Sequence, residues 1–298
     1  MRIGLINQLH GAPDTPRPTP TWASISERAR VAEFCGFDTF VFEDALLYRD
    51  SVTEGGWESF SIAAALAATT STIEIGQSVV NAPYRSPALT AKMAETIDEI
   101  SGGRYIFGLG AGNTDDSDYE AFGFPTDRRY SRFAEAIAII HGLLKNGAID
   151  YDGQFHSARR SELVLRGPRS GGPPIVIAGG APKMLRLVAR YADGWNWWTG
   201  DHGSAAATLG PIVDELEIAC QEVGRDPASL FRTLDVYSVD AMNVSGSAEV
   251  ISGPPEHIAE TLLSFGDLGF DEVRCDVYPK TIEAVEAMAK VVQLVHAA

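Results

Sequence analysis

The sequence predicts an α/β chain folded as a single (β/α)8 barrel, and three observations predict it. Eight short β-rich runs alternate with eight longer segments of helical period, the count of that barrel. Several runs are apolar on consecutive residues (IGLI at 3–6, FVF at 40–42, IVIA at 175–178), as strands covered on both faces require. No G-x-G-x-x-G opens a helix after the first run, so an open dinucleotide-type sheet fits less well. By length, 298 residues would admit two domains, but an α/β barrel of about this size counts as one. No linker or internal repeat divides the chain, so residues 1–298 are read as one domain.

In order, the predicted strands are Arg2–Asn7, Asp38–Phe42, Ile73–Val80, Arg104–Gly108, Pro174–Ala178, Gly194–Trp197, Arg232–Val239 and Asp271–Val277. The helices between and after them are Trp22–Cys35, Trp57–Thr70, Pro87–Ser101, Arg128–Asn146, Pro182–Tyr191, Ser204–Val223, Pro254–Phe265 and Thr281–Val295. Prolines at helix starts and glycines just past helix ends (Gly36, Gly102, Gly147, Gly266) punctuate them. In Pro87–Ser101, Leu89, Met93, Ile97 and Ile100 recur at spacings of four and three, which predicts one buried stripe. Two intervals are long. Gly11–Thr21 carries four prolines and reads as a stiff first βα loop. The stretch from about 149 to 172 is turn-rich, includes a D-G pair, and predicts an excursion with a β-hairpin after the fourth helix. Both are either surface decoration or walls of a site at the strand ends.

Charge narrows the partners. The chain holds 24 Lys+Arg and 40 Asp+Glu, a net charge of −16, which repels phosphate backbones and anionic lipid. Nucleic acid and membrane surfaces are therefore poor partners, and a small molecule is expected. Three scattered cysteines are too few for a disulfide framework and wrongly spaced for zinc. No run reaches the roughly 18 apolar residues of a membrane span, and the opening MRIGLIN has no signal-peptide character. A cytoplasmic protein is expected.

In such a barrel, chemistry sits at the C-terminal strand ends. That rule selects Asn7, Gln8 and His10, Glu43 and Asp44, residues 78–81, 110–116, 179–183 and 196–198, Asp240 and Asp276. Metal hydrolysis fits badly, because only His10 and His202 among six histidines approach the strand ends, so no metal is assigned. All five lysines fall on or beside helices, which disfavours Schiff-base chemistry. Paired-carboxylate glycoside hydrolysis is weak, since Glu43 and Asp44 are adjacent and only one can face the axis. The run Ala178-Gly179-Gly180-Ala181-Pro182-Lys183 ends a strand and opens a helix. It is either an ordinary βα turn or an anion site built from free N–H groups. Gly108-Leu109-Gly110-Ala111-Gly112 is a second glycine turn, where the backbone either leaves the barrel or passes close to a flat ligand.

Three ordered blocks resemble the luciferase-like monooxygenase superfamily, whose members use FMN or the deazaflavin coenzyme F420. They are IGQSVVNAPYRSPALTAKMAETIDEISGGRYIFGLGAG, then FGFPTDRRYSRFAEAIAIIHGLL followed by YDGQFH, and PPIVIAGGAPKMLRLVARYADGWN. The resemblance implies a flavin-type ring over the barrel mouth, with its phosphate on Ala178, Gly179, Gly180, Ala181 and Pro182. It implies a cis peptide at Ser78-Val79 behind the ring, Gly110, Gly112 and Asn113 along the ring edge, and Asp44 near the reacting face. This sequence departs from the family pattern by reading Asp44-Ala45 where relatives often read Asp-His, and Asn113-Thr114 where many read Trp-His or place a Glu. Asp44, His10 and Asn113 are then the candidate catalytic residues, and Trp197 and Trp198 the candidate lining for a neutral or hydrophobic substrate. The implied activity is oxygenation of an organic substrate with reduced FMN and O2, the FMN coming from a separate flavin reductase. The alternatives are an F420-dependent reductase or dehydrogenase and a non-catalytic flavin-binding barrel. The resemblance also implies a homodimer.

Overall fold

The computed structural model describes residues 1–10, 20–49, 53–112, 117–200, 209–247 and 250–298. Its first part runs β1 (Arg2–Asn7), α1 (Trp22–Phe34), β2 (Thr39–Phe42), β3 (Leu47–Arg49), β4 (Thr53–Gly55), α2 (Ser59–Thr69), β5 (Glu74–Gln77) and β6 (Val80–Asn81). Next come α3 (Pro87–Ser101), β7 (Tyr105–Gly110), α4 (Ser117–Phe122), α5 (Arg129–Asn146), β8 (Ala148–Asp152) and β9 (Ser157–Glu162). The remainder is β10 (Ile175–Ala178), α6 (Pro182–Tyr191), β11 (Gly194–Trp198), α7 (Gly210–Glu222), β12 (Phe231–Asp240), β13 (Ile251–Ser252), α8 (Pro255–Ser264), β14 (Glu272–Val277), α9 (Ile282–Ala287) and α10 (Ala289–Ala297).

Strands β1, β2, β5, β7, β10, β11, β12 and β14 pair in parallel in that order, and β14 returns to β1. The predicted eight-stranded barrel is therefore closed, and its strands coincide with the eight predicted runs to within a few residues at each end. Along each strand, alternate residues point outward beneath the helices. Phe40, Phe42, Tyr105, Phe107, Ile175, Ile177, Trp195, Leu234, Val273 and Cys275 form this buried apolar layer. The inward positions include many small or polar residues (Gly4, Thr39, Gly76, Gly108, Asn196, Thr233, Asp235, Glu272 and Arg274) beside the apolar Val41, Ile106 and Val176.

Arg274 fills the barrel interior and donates through Nε to Glu272 Oε2 at 3.1 Å, while Thr39 Oγ1 donates to Glu272 Oε1 at 2.5 Å. The absence of a side chain on Gly4 makes this possible, because a Cβ there would sit 2.8 Å from Arg274 Cγ. Burying these charges is tolerable only because they meet one another.

Several predicted boundaries move. The third predicted strand is interrupted after Gln77 by a cis peptide between Ser78 and Val79 and resumes as β6, which pairs with β7. The second helix begins at Ser59 rather than Trp57, with Glu58 capping it by accepting from Ser61 N at 2.8 Å. The antiparallel ribbon β3–β4 occupies part of the loop before it, and α4 follows the fourth barrel strand; neither is predicted. The last helix is broken at Met288 into α9 and α10. The predicted start of the sixth helix at Ser204 and most of the Gly11–Thr21 loop lie outside the described residues.

The stripe predicted for α3 is corrected. Ile97 is buried, but Leu89 and Ile100 are exposed. The buried face instead carries Ala91, Ala94, Glu95 and Asp98. Its carboxylates meet the excursion after α5, where Arg166 Nε donates to Glu95 at 2.6 Å and Arg169 Nε to Asp98 at 3.1 Å. Arg169 also donates to the carbonyl of Tyr105, the first residue of β7. The returning arm of the excursion therefore closes the N-terminal end of the barrel, not the mouth. The predicted hairpin is β8–β9, whose tip donates N–H groups of Gln154, Phe155 and His156 to Glu135 on α5 at 2.8, 2.8 and 2.9 Å. Among the described residues, no helix is long and apolar enough to cross a membrane.

Candidate active site

The barrel mouth has one wall of nearly bare backbone. At the cis Ser78–Val79 peptide the chain bulges toward β7, and Gly108 and Gly110 face it. A Cβ on Gly110 would lie 2.7 Å from Val79 Cγ2, and one on Gly108 would strike the Gln77 carbonyl. Gly112 closes this edge with φ +86°, and a Cβ there would strike the Tyr119 hydroxyl. That hydroxyl donates to Asn81 Oδ1 at 2.6 Å. Glycine is therefore required on this wall for space, with backbone freedom an added reason at Gly112.

Behind the bulge lies Asp44, buried and saturated. Arg85 donates to both of its oxygens (Nη1 to Oδ2 at 2.6 Å, Nη2 to Oδ1 at 2.9 Å). Ser59 Oγ donates to Oδ1 at 2.7 Å, and the Asn81 backbone N–H to Oδ2 at 3.0 Å. Burial works against the Arg85 guanidinium, yet Asp44 and Glu58 outweigh it and hold its pKa above the ordinary value. Arg85 also lies 4.7 Å from the Phe60 ring centroid. This arrangement lets Asp44 anchor the bulge through Asn81 and leaves neither oxygen without a partner.

His10 Nδ1 lies 2.8 Å from Glu43 Oε1, which also accepts from Leu9 N at 2.6 Å. The pair stands at the ends of β1 and β2, on the side of the mouth opposite β10. Lys280 meets Asp276 at the end of β14. Asp240 accepts from the N–H groups of Met242, Val244 and Ser245 at 2.9, 2.7 and 2.7 Å, fixing the loop after β12. Asn113 lies outside the described residues, as do Thr114 to Asp116 and His202. Among the described residues, no His/Cys/Asp/Glu group could hold a metal ion.

The predicted anion loop opens α6. Gly179 sits at φ +133°, and its carbonyl accepts from Trp195 Nε1 at 3.0 Å. Pro182 is the first helical residue, and no side chain caps the helix at Ala181. The amides at this end are thus not taken up by a cap, and an anion would fit them. Two cations on this side of the mouth have no carboxylate partner among the described residues: Arg129 and Lys183; the neighbouring Arg128 lies over the Phe155 ring of the hairpin tip at 5.9 Å. Arg129 Nη1 donates to the Gly112 carbonyl at 2.8 Å, and Lys183 Nζ lies 5.7 Å from the Tyr130 ring centroid. In a chain of net charge −16, the anion loop is locally cationic.

The two tryptophans part company, as strand alternation demands. Trp198 faces the mouth and is about half exposed, at 53%. Trp197 points outward, stacks on Trp195 with ring centroids 6.1 Å apart, and occupies the space where a Gly180 side chain would stand. Trp197 therefore packs behind the turn at Gly180, whereas Trp198 stands at the mouth. Exposed Trp57, Phe122, Met242 and Val244 complete an apolar rim on the loops of this face.

Sequence reasoning missed Arg85, Arg129, Asn196 (as a partner rather than a strand end) and Asp235. Of these, Asp235 carried a usable signal. Thr233 and Asp235, like Glu272, Arg274 and Asp276, recur with period two inside otherwise apolar strands, which marks inward positions.

Residues 1–241 match the family model described as luciferase-like monooxygenase. A 5,10-methylenetetrahydromethanopterin reductase of Archaeoglobus fulgidus is 35% identical over 177 residues, covering 59% of this chain and 49% of that protein. A pyrimidine monooxygenase of Caulobacter sp. (strain K31) is 29% identical over 222 residues, covering 72% of this chain and 61% of that protein. The match thus spans about half to three fifths of the length of these relatives. Two solved structures superpose on the chain with TM-scores of 0.81: an F420-dependent secondary alcohol dehydrogenase in complex with an F420-acetone adduct (17% identity, 99% of this chain and 98% of that one) and monooxygenase RslO1 from Streptomyces bottropensis (18% identity, the full length of both). At these identities the structural likeness is one of fold.

Proposed function

The chain belongs to the luciferase-like monooxygenase family, an oxidoreductase family, and from that premise we propose that it is a coenzyme F420-dependent reductase or dehydrogenase acting on a neutral, largely apolar substrate. The observation that carries this reading is the pair Arg129 and Lys183 beside the uncapped start of α6. F420 presents a phosphate and a further anionic tail, whereas FMN presents the phosphate alone. Two cations without a carboxylate partner among the described residues suit the larger anionic load. The relative named a methylenetetrahydromethanopterin reductase and the F420-dependent alcohol dehydrogenase of the same fold support it.

The residues present fit such a coenzyme. The wall at Gly108, Gly110 and Gly112 is bare backbone, and a Cβ at these positions would meet Gln77, Val79 or Tyr119 and displace the segment that would back the ring. When bound, the deazaflavin supplies or accepts a hydride. The chain's own work is binding and exclusion. The α6 amides with Gly179 and Gly180 hold the phosphate, Arg129 and Lys183 take the tail, and the Ser78–Val79 segment backs the ring. Trp198 and the rim residues Trp57, Met242 and Val244 keep water from an apolar substrate. His10, held by Glu43, is placed to exchange a proton with a substrate oxygen.

The second reading, oxygenation with reduced FMN and O2 served by a separate flavin reductase, is favoured by the match to the pyrimidine monooxygenase. Titration with FMN, reduced FMN and F420 tests the choice. Tighter binding of F420 and anaerobic hydride transfer are expected; oxygen consumption with reduced FMN and no F420 binding would replace the first reading with the second. Absence of turnover with either reduced coenzyme would leave a binding barrel. Pairing of two copies belongs to the same proposal and is checked by sedimentation.

A further inference from the structure

Beneath the Ser78–Val79 wall lies a polar chain that the coenzyme site does not itself use. Ser78 Oγ donates to Asp235 Oδ2 at 2.7 Å, and Asn196 Nδ2 donates to Asp235 Oδ1 at 2.9 Å and to Thr233 Oγ1 at 3.0 Å. Behind Asp235 stands Arg274, whose Nη1 is 3.9 Å from Asp235 Oδ1 but whose Nη2 is 3.1 Å from Glu272 Oε2. Glu272 thus holds the guanidinium more closely, and Asp235 faces the mouth with two neutral donors. We propose that Asp235 is a positioning residue for the coenzyme ring, fixing through Ser78 the segment against which the ring lies. The inference rests on the coenzyme reading above.

The geometry gives Asp235 this reach because it sits on β12, across the barrel from β5. It ties the bulge to the opposite wall, whereas Asp44 and Arg85 tie it from outside. The groups facing Asp235 are Ser78 from the bulge, Asn196 from β11, and Arg274 and Glu272 from β14. One cation therefore serves two carboxylates in this interior. Burial pushes the Asp235 carboxyl up, Glu272 adds to that, and Arg274, Ser78 and Asn196 oppose it without cancelling it. The same surroundings push the Cys275 thiol to about 12, so it stays neutral. An ionised Asp235 accepts from both Ser78 and Asn196. Once protonated it must give one oxygen over to donation, and the hold on Ser78 changes. The position of the wall consequently responds to protonation of this carboxyl, whose pKa burial holds above its ordinary value.

The test uses the full chain carrying Asp235→Asn, Ser78→Ala or both. Dissociation constants for FMN and F420 are read by coenzyme fluorescence from pH 5 to 9, with Tm as a folding control. Each single variant should weaken binding about tenfold, the scale of one lost charge-assisted hydrogen bond. The double variant should be no worse than either single one, and both singles should lose the acid limb of the wild-type pH profile. Wild-type affinity and profile in Asp235→Asn would overturn the inference, as would additive losses in the double variant. If Asp235→Asn does not fold, Ser78→Ala decides alone: retention of wild-type affinity and of the acid limb overturns the inference. Wild-type protein that binds neither coenzyme overturns the coenzyme reading itself, an outcome distinct from tight wild-type binding that the variants leave unchanged.

Discussion

Gly180→Ala offers a sharp trial of the anion loop. Gly180 is not in the left-handed region, so its need for glycine is spatial. A Cβ there would lie 2.7 Å from Trp197 Cη2 and 2.8 Å from Ile212 Cδ1. Ordinary carbon contacts are about 3.5–4.0 Å, so the overlap is about 1 Å. Trp197 cannot retreat, because it stacks on the fully buried Trp195, which itself stacks on Phe270 at 5.9 Å. The loop must therefore lift. A displacement of about 1 Å at an orienting contact costs on the order of 100-fold in function, and overpacking costs about 1–3 kcal/mol of stability. Coenzyme affinity is the assay, with the rescue variant Gly180→Ala/Trp197→Leu beside it. The double variant should recover most of the loss. A Gly180→Ala protein that binds as tightly as wild type, or a loss that Trp197→Leu does not relieve, would refute the reasoning.

Further outcomes follow from the neighbouring contacts. Arg85→Ala leaves the buried Asp44 carboxylate without its cation and should lower stability by about 3–5 kcal/mol in denaturant titrations. Lys183→Glu reverses a charge at the α6 start, so F420 affinity should fall more than FMN affinity, and the difference should shrink as salt rises. Glu33 accepts from Ser71, Thr72 and Ile73 N–H groups at 2.8, 2.5 and 3.0 Å. Burial alone would raise its carboxyl, but these bonds hold it below its ordinary value of 4.5. The stability it supplies is complete above that value and is lost as pH falls through the folded-state pKa. Glu33→Gln should therefore cost about 1 kcal/mol near neutrality, allowing for solvent screening, and converge on wild type in acid, as read by thermal melts.

The barrel was legible because strand and helix periods are strong signals over eight repeats. The strand-to-helix turn before α6 was legible because Pro182 and the paired glycines punctuate it. The α3 stripe misled for a physical reason: its buried face meets Arg166 and Arg169, so carboxylates lie inside and Leu89 and Ile100 outside. The β3–β4 ribbon gave no warning, since LYR and TEG are three residues each and lack alternating apolar positions. Trp197 and Trp198 were grouped by type, although adjacent strand residues must diverge. Arg129 and Asp235 owe their importance to contacts across 17 and 157 residues of sequence, and spacing along the chain does not show such contacts.

The wall of glycines beside the bulge has a consequence for how this protein could change its preferences. Main chain cannot be made smaller, and any side chain added at Gly108 or Gly110 collides with Gln77 or Val79. That corner is therefore closed to redesign in both directions. New selectivity has to be sought at Trp57, Trp198, Met242 and Val244, where exposed side chains can be exchanged while the floor beneath stays in place.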